Sequence, residues 1–272
     1  MSHPVSLFIA DDDSVIATEL SRGPWDPSSC HGGPVAALLV RTCEQMADGD
    51  GDTSDSQRNW QLARITVELV RPVPVLQPLL VSSEVERPGR NVSLIGAHIT
   101  LENGTEVARA RALRIRVADV ALSADYILEP PFSAVASGSK QAPSFVGEQT
   151  AFHRDAVDMR FSEGSWIDPG PIKMWCKLLF PVMAGELPTG PQRAVAAADF
   201  SNGVSSELDP TQAVFINPDL SVHLLRPPVG EWIGVHARSF YGPHGAGLAE
   251  AALYDELGRC GRSTQSLFVN SR

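Results

Sequence analysis

The phrase "VELVRPVP" at 67–74 has a partner, "VHLLRPPV", at 222–229. The first six positions share one pattern: Val, any residue, Leu, an aliphatic residue, Arg, Pro. The offset is 155 positions (222 − 67). Such a repeat constrains the fold strongly, because each half of the chain must then build the same unit. Two flanking regions keep the order. Gly33-Pro34 in "GGPVAALLVRTCEQM" aligns with Gly190-Pro191 in "TGPQRAVAAADFSNG" at an offset of 157 (190 − 33). The turn glycines Gly104 and Gly258 align at 154 (258 − 104). Two copies are too few for a solenoid and suit a pseudo-two-fold pair.

Each copy has the same contents. Gly33-Pro34 opens a helix, since Pro at the first helical position loses no needed hydrogen bond. Val35, Leu38, Leu39, Thr42 and Met46 recur at helical spacing, with Ala36 and Ala37 among them. Asp48-Gly49 is the expected end. Alternating, β-branched strands follow: "LARITVELVRP", stopped by Pro72, then "PLLVSSEVE", then "NVSLIGAHITL". Asn103-Gly104 is a hairpin signal leading into "TEVARARALRIRV". One copy therefore reads as a short leading strand, a long helix and an antiparallel meander of about four strands. The sheet's apolar face needs cover, and the helix supplies it. The expected fold class is α+β, a double hotdog: two tandem units, each a curved antiparallel sheet wrapped around a long central helix.

The second copy offers "AVDMRFS" and "IKMWCKLL" as early strands and a helix from about Pro191. Next come "AVFINPDLSVHLLRP", "WIGVHARSF", "GLAEAALYD" and "CGRSTQSLFV". The predicted organisation is a first unit over 1–118, a connector over 119–150 rich in Ser, Ala and Pro, and a second unit over 151–272.

Composition narrows the function. The 272 residues carry a net charge of −10, which argues against nucleic-acid binding. No stretch reaches the roughly 18 apolar residues of a membrane span. The N-terminus lacks the charged and apolar regions of a secretory signal. Four scattered cysteines without a CxxC pair point to reduced thiols and a cytoplasmic setting. Seven histidines form no HExxH or Cys/His cluster, so no metal is expected. No GxSxG elbow is present, which disfavours a serine hydrolase of the α/β type.

With "CHGGPVAALLVR" and "VELVRPVP" in one half and "AAADFSNG", "NPDLSVHLLRPP" and "GRSTQSLFV" in the other, the chain resembles the acyl-CoA thioesterase II family of double-hotdog enzymes. The resemblance covers most of the chain outside the connector. It implies hydrolysis of a fatty acyl-CoA to free acid and coenzyme A, with no cofactor beyond the coenzyme A of the substrate. It also implies a homodimer or higher homo-oligomer. The nucleophilic water would be held by an Asp, a Ser or Thr, and a Gln. These fall on Asp199, Asn217 and Gln265. At Asn217 the chain departs from the pattern, offering an amide in place of a hydroxyl.

Each residue also has a plainer reading. Asp199 lies on a helix face of Ala and Val, where a carboxylate is costly unless paired or used. Late in its own helix it gains nothing from that helix's dipole. Alternatively, it simply helps end the helix. Gln265 reads alone as an exposed strand residue, and Asn217-Pro218 as a turn. His31, Gly32 and Gly33 are candidate substrate-binding residues. A helix N-terminus presents free N–H groups to a thioester oxygen, and glycines allow close approach. The plain alternative is a glycine-rich helix entry with a capping His31. Arg109 and Arg111 share one strand face and read first as solvated charge, with coenzyme A phosphates as the alternative. The alignment at 154 sets Gln265 against Arg111, which conflicts with an inward-facing Gln. Two rival functions remain: a hotdog hydratase acting on enoyl or hydroxyacyl thioesters, and a non-catalytic acyl-CoA-binding protein. The hydratase would want a His soon after Asp168 in "SWIDPGPIKMW", and none follows.

Overall fold

The computed structural model describes residues 4–46, 60–121, 129–141 and 149–272. Asp48-Gly49 and parts of the expected connector lie outside them. The strands are β1 (Phe8–Asp11), β2 (Ser14–Ala17), β3 (Trp60–Glu68), β4 (Pro78–Arg87), β5 (Val92–Thr100), β6 (Glu106–Arg116) and β7 (Ser139–Lys140). They continue with β8 (Val157–Glu163), β9 (Ile172–Leu178), β10 (Ala213–Ile216), β11 (Asp219–Leu224), β12 (Trp232–Tyr241), β13 (Ala246–Asp255) and β14 (Gly258–Ser271). The helices are α1 (Gly32–Gln45), α2 (Gly190–Ala198) and the short α3 (Ser201–Val204).

The strands form one sheet in the order β1-β2-β4-β5-β6-β3-β11-β14-β13-β12-β9-β8-β7, with β10 on β14. Outward from the β3–β11 junction, the two halves repeat the same path. At the junction Thr66 pairs with Ser221, their hydroxyl oxygens 3.1 Å apart. These residues are 155 positions apart (221 − 66), the offset of the twin phrases. A residue therefore pairs with its own duplicate, and the pseudo-two-fold axis passes there.

This order corrects the expected four-strand meander. Only β4-β5-β6 and β12-β13-β14 run as meanders. The strand that follows each helix crosses to the far side of its meander, where its otherwise open edge is closed by its counterpart. The strands bearing the twin phrases end at Glu68 and Leu224, short of Pro72 and Pro227. The expected single strand "AVFINPDLSVHLLRP" is two, β10 and β11, divided at Asn217-Pro218.

Register also corrects the alignment. Val67 pairs with Ala110, and its duplicate Val222 pairs with Ser263. Strands β6 and β14 thus align at 153 (263 − 110), which sets Gln265 on Ala112 rather than on Arg111. Ala108, Ala110 and Ala112 face inward, whereas Arg109 and Arg111 pair at the surface with Glu68 and Glu86. The arginines are a solvated, salt-bridged face.

Helix α1 is buried from Gly33 through Val40 and packs on β3, β4, β5 and β6. Burying Leu38 and Leu39 completely contributes about 1.5–3 kcal/mol each. Helix α2 packs on β9, β11, β12 and β13 but has only 9 residues, against the expected long helix. It stops at Asp199, and the chain bends into α3. The two helices lie antiparallel. A Cβ on Gly33 would sit 2.9 Å from the Ala196 carbonyl oxygen, which forces glycine at this crossing. At the opposite end, Glu44 of α1 accepts hydrogen bonds from Thr189 and Gln192 at the start of α2 (2.9 and 2.8 Å).

The repeated arginines of the twin phrases brace hairpins. Arg71 donates to the Glu106 carbonyl (2.8 Å), beside the Asn103-Gly104 turn. Arg226 grips Asp255 through both terminal nitrogens at the Gly258 turn.

Candidate active site

Asp199 ends α2 and is 5% exposed. Its carboxylate is bound on both sides. Asn217 donates from Nδ2 to Oδ1 (2.8 Å), and Gln265 donates from Nε2 to the same oxygen (3.3 Å) and to the Asp199 carbonyl (3.2 Å). His31 Nδ1 lies 2.8 Å from Oδ2. The three residues expected from the second unit thus converge, and the first unit adds a fourth.

Local structure explains the convergence. The kink at Asn217-Pro218 aims the Asn217 amide at the end of α2. Strand β14 turns Gln265 inward, where it is wholly buried rather than an exposed strand residue. Both ends of its amide are engaged, because Oε1 accepts from the Asn202 backbone N–H (3.1 Å). Gln265 therefore ties Asp199 to α3.

The first turn of α1 packs directly on the carboxylate. A Cβ on Gly32 would lie 2.8 Å from both carboxylate oxygens of Asp199. The dipole of its own helix disfavours an anion at this end, but the N-terminus of α1 favours one. The charge that looked unsupported in the sequence is supported by the other unit. The pseudo-symmetric end of the helix pair holds Glu44 against the start of α2. Burial raises the Glu44 carboxyl above its ordinary range, against the hydrogen bonds from Gln192 and Thr189.

His31 is the N-cap of α1, its Nδ1 3.1 Å from the Gly33 backbone nitrogen, and its ring packs against the stacked pair Phe152 and Phe200 (centroids 5.1 and 4.9 Å). The His153 ring follows at 6.2 Å. Burial first, then the nearby His31 and Arg154, push the His153 imidazole down to about 3, so it is neutral at physiological pH.

A cavity of about 950 Å³ opens on this cluster, and its lining draws on both units: His31, Gly32, Asp199 and Asn217 meet Trp25 and Trp166. Asn202 also lines it, with Oδ1 buried and without a hydrogen-bond partner among the described residues. The sequence signalled His31 through "HGG" but did not single out Asn202 within "AAADFSNG". It carried no sign that His31 meets Asp199, 168 positions away (199 − 31), nor that His153 and the tryptophans join them.

Two family descriptions match the chain: acyl-CoA thioesterase N-terminal domain over residues 21–115 and acyl-CoA thioesterase C-terminal domain over 130–269. Among solved structures, a hot dog fold protein of unknown function from Alicyclobacillus acidocaldarius superposes with a TM-score of 0.71 at 14% identity, covering 100% of both chains. The acyl-CoA thioesterase II TesB2 from Mycobacterium marinum gives 0.65 at 12% identity, covering 96% of this chain and 94% of that one. A tesB protein from Mycobacterium avium subsp. paratuberculosis gives 0.61 at 14%, with the same coverages. No curated protein sequence matches the chain. These likenesses establish the hotdog fold with its large antiparallel sheet.

Proposed function

The chain belongs to the acyl-CoA thioesterase II family and is a thioester hydrolase, and from that premise we propose that it cleaves fatty acyl-CoA with a water activated at the Asp199 cluster. One observation carries the proposal. A buried carboxylate, fixed by Asn217, Gln265 and His31, lines a cavity large enough for an acyl chain. In a site shielded from water, such a charge acts strongly on a nearby nucleophile. Asp199 supplies the negative charge, and Asn217 and Gln265 hold it in place. The buried Oδ1 of Asn202 is an acceptor that a bound water satisfies. The N-terminus of α1, at Gly32 and Gly33, is the source of N–H donors for the developing oxyanion.

Asn217 fills the place where the family pattern has a hydroxyl. Its amide donor at 2.8 Å from Asp199 supports a working site with that substitution. We read the two units as 1–118 and 151–272, joined by 119–150, each a sheet wrapped around its helix. The packing of α1 on β3–β6 supports this, as does that of α2 on β9 and β11–β13. Homo-oligomerisation is supported by Phe240, Leu248 and Phe268, which are exposed on neighbouring strands β12, β13 and β14. Four unpaired cysteines suit the reducing cytoplasm.

The test is release of free thiol from acyl-CoAs of graded chain length. The wild type is expected to turn over a subset of them, and Asp199→Asn to lose about 10²–10⁴-fold while remaining folded. Tight binding without thiol release identifies an acyl-CoA-binding protein instead. Hydration of an enoyl thioester without thiol release identifies a hydratase.

A further inference from the structure

We propose that the atom that takes the proton from the attacking water is Nε2 of His31, with Asp199 acting through His31 as its orienting partner. This rests on the thioester-hydrolase reading and names the base within it.

Access separates the two candidates. The Asp199 carboxylate is enclosed: Oδ1 accepts from Asn217 and Gln265, Oδ2 faces His31 Nδ1, and the side chain is 3% exposed. Little of it is left for a water. The His31 side chain is 12% exposed and lines the cavity, and among the described residues Nε2 makes no hydrogen bond. Phe152 and Phe200, stacked on each other with centroids 5.4 Å apart, both pack against the ring and restrict its rotation before substrate arrives.

Protonation is settled by a conflict at Nδ1. This nitrogen lies 2.8 Å from Asp199 Oδ2 and 3.1 Å from the Gly33 backbone nitrogen. It cannot both donate to the carboxylate and accept from the amide. The carboxylate oxygen is the nearer partner, and a charge-assisted hydrogen bond to it outweighs the longer contact from the amide. The proton therefore resides on Nδ1, and Nε2 carries the lone pair. That arrangement also frees the Gly33 N–H for the substrate oxygen. Nearest the ring, His153 is kept neutral by burial, and burial raises the Cys30 thiol well above its ordinary range. Neither supplies a competing charge. The other charged side chains on the cavity wall are Asp26, Arg71, Asp168, Glu207, Asp209 and Arg272.

The chemistry balances within this set. The water oxygen forms a bond to the thioester carbonyl carbon as its proton moves to His31 Nε2. The carbonyl pair moves to oxygen and then returns as the carbon–sulfur bond breaks. The proton on Nε2 passes to the departing sulfur, giving the acid and the thiol. The transient imidazolium is stabilised by Asp199, as in other carboxylate–imidazole pairs.

The variant His31→Asn keeps a capping side chain at the start of α1 but has no basic nitrogen. It is expected to lose about 10²–10⁴-fold in kcat/KM for acyl-CoA. The acid limb of the kcat/KM profile, of unit slope in the wild type, should disappear. Added imidazole should restore part of the activity of His31→Ala. If His31→Asn stays within threefold of wild type and keeps the acid limb, His31 is not the base. Nitrogen-15 NMR of the wild type supplies a readout independent of turnover. A neutral His31 protonated on Nδ1 supports the proposal, and one protonated on Nε2 overturns it. If the wild type releases no thiol from any acyl-CoA, the hydrolase reading fails instead, and the NMR result still decides the Asp199–His31 arrangement.

Discussion

At position 32 a single methyl group decides whether the site can assemble. Gly32→Ala would press a Cβ to within 2.8 Å of both Asp199 carboxylate oxygens. The carboxylate must then swing away from His31 and Asn217. The expected result is a fall of at least tenfold in kcat, at an overpacking cost of about 1–3 kcal/mol in stability. Steady-state kinetics beside urea unfolding checks both. Asn217→Ala should behave differently. It removes one donor from Oδ1, so kcat should fall about tenfold with little change in stability, since Asn217 is only partly buried. At this scale the sequence was partly legible. Asp199 stood out as a charge on a face of Ala and Val. Gln265 was misplaced by the alignment, because the chain from the turn glycine to the equivalent strand residue is one residue shorter in β14 (Gly258 to Ser263) than in β6 (Gly104 to Ala110), and one residue turns a strand over. His31 appeared as a substrate-binding or capping residue but not as the partner of Asp199, since Asp199 lies in the other unit.

Among the elements, a buried carboxylate, Asp255, ties the β13–β14 hairpin to Arg226 in the segment after β11. Burial pushes the Asp255 carboxyl up, but Arg226 and the backbone amides of Val229 and Leu257 more than offset it. The group therefore titrates below its ordinary 3.8. A carboxyl depressed by folding stabilises fully above its unfolded value, and that contribution disappears as pH falls through the folded value. Asp255→Asn should cost about 3 kcal/mol near neutrality. The gap from wild type should close below pH 3.8, measured by urea unfolding across pH. The same Arg-Pro phrases, read in the sequence as strand ends, are thus braces on hairpins. Helices, hairpin turns and most strands were legible, because period and turn chemistry are local. The strand order was not. Asn103-Gly104 fixes that β5 and β6 are neighbours, but nothing local says that β3 passes beyond β6 to meet β11. The brevity of α2 was hidden too, since "AVAAADF" continues a helical pattern through the residue where the chain bends.

Over the whole molecule, duplication has produced two equivalent helix ends with different contents. At one, Glu44 is closed off by Thr189 and Gln192. At the other, Asp199 meets His31, Asn217 and Gln265 beside the cavity. The pseudo-two-fold repeat was legible from the twin phrases, and the strand order repeats on either side of the β3–β11 junction. What it could not announce is that the site belongs to neither unit alone. The exposed apolar residues of β12–β14 give this scale its own expectation. Light scattering should report a mass above the 29.2 kDa monomer, and Leu248→Glu should lower it without loss of folding. The claim on which the rest depends is that His31 from the first unit and Asp199 from the second act as one group. A double-mutant cycle on kcat/KM tests it directly, using His31→Asn, Asp199→Asn and the pair. If the two act together, the double variant loses about as much as the worse single variant. Losses that multiply would mean that the residues act independently, and would contradict a site built across the seam.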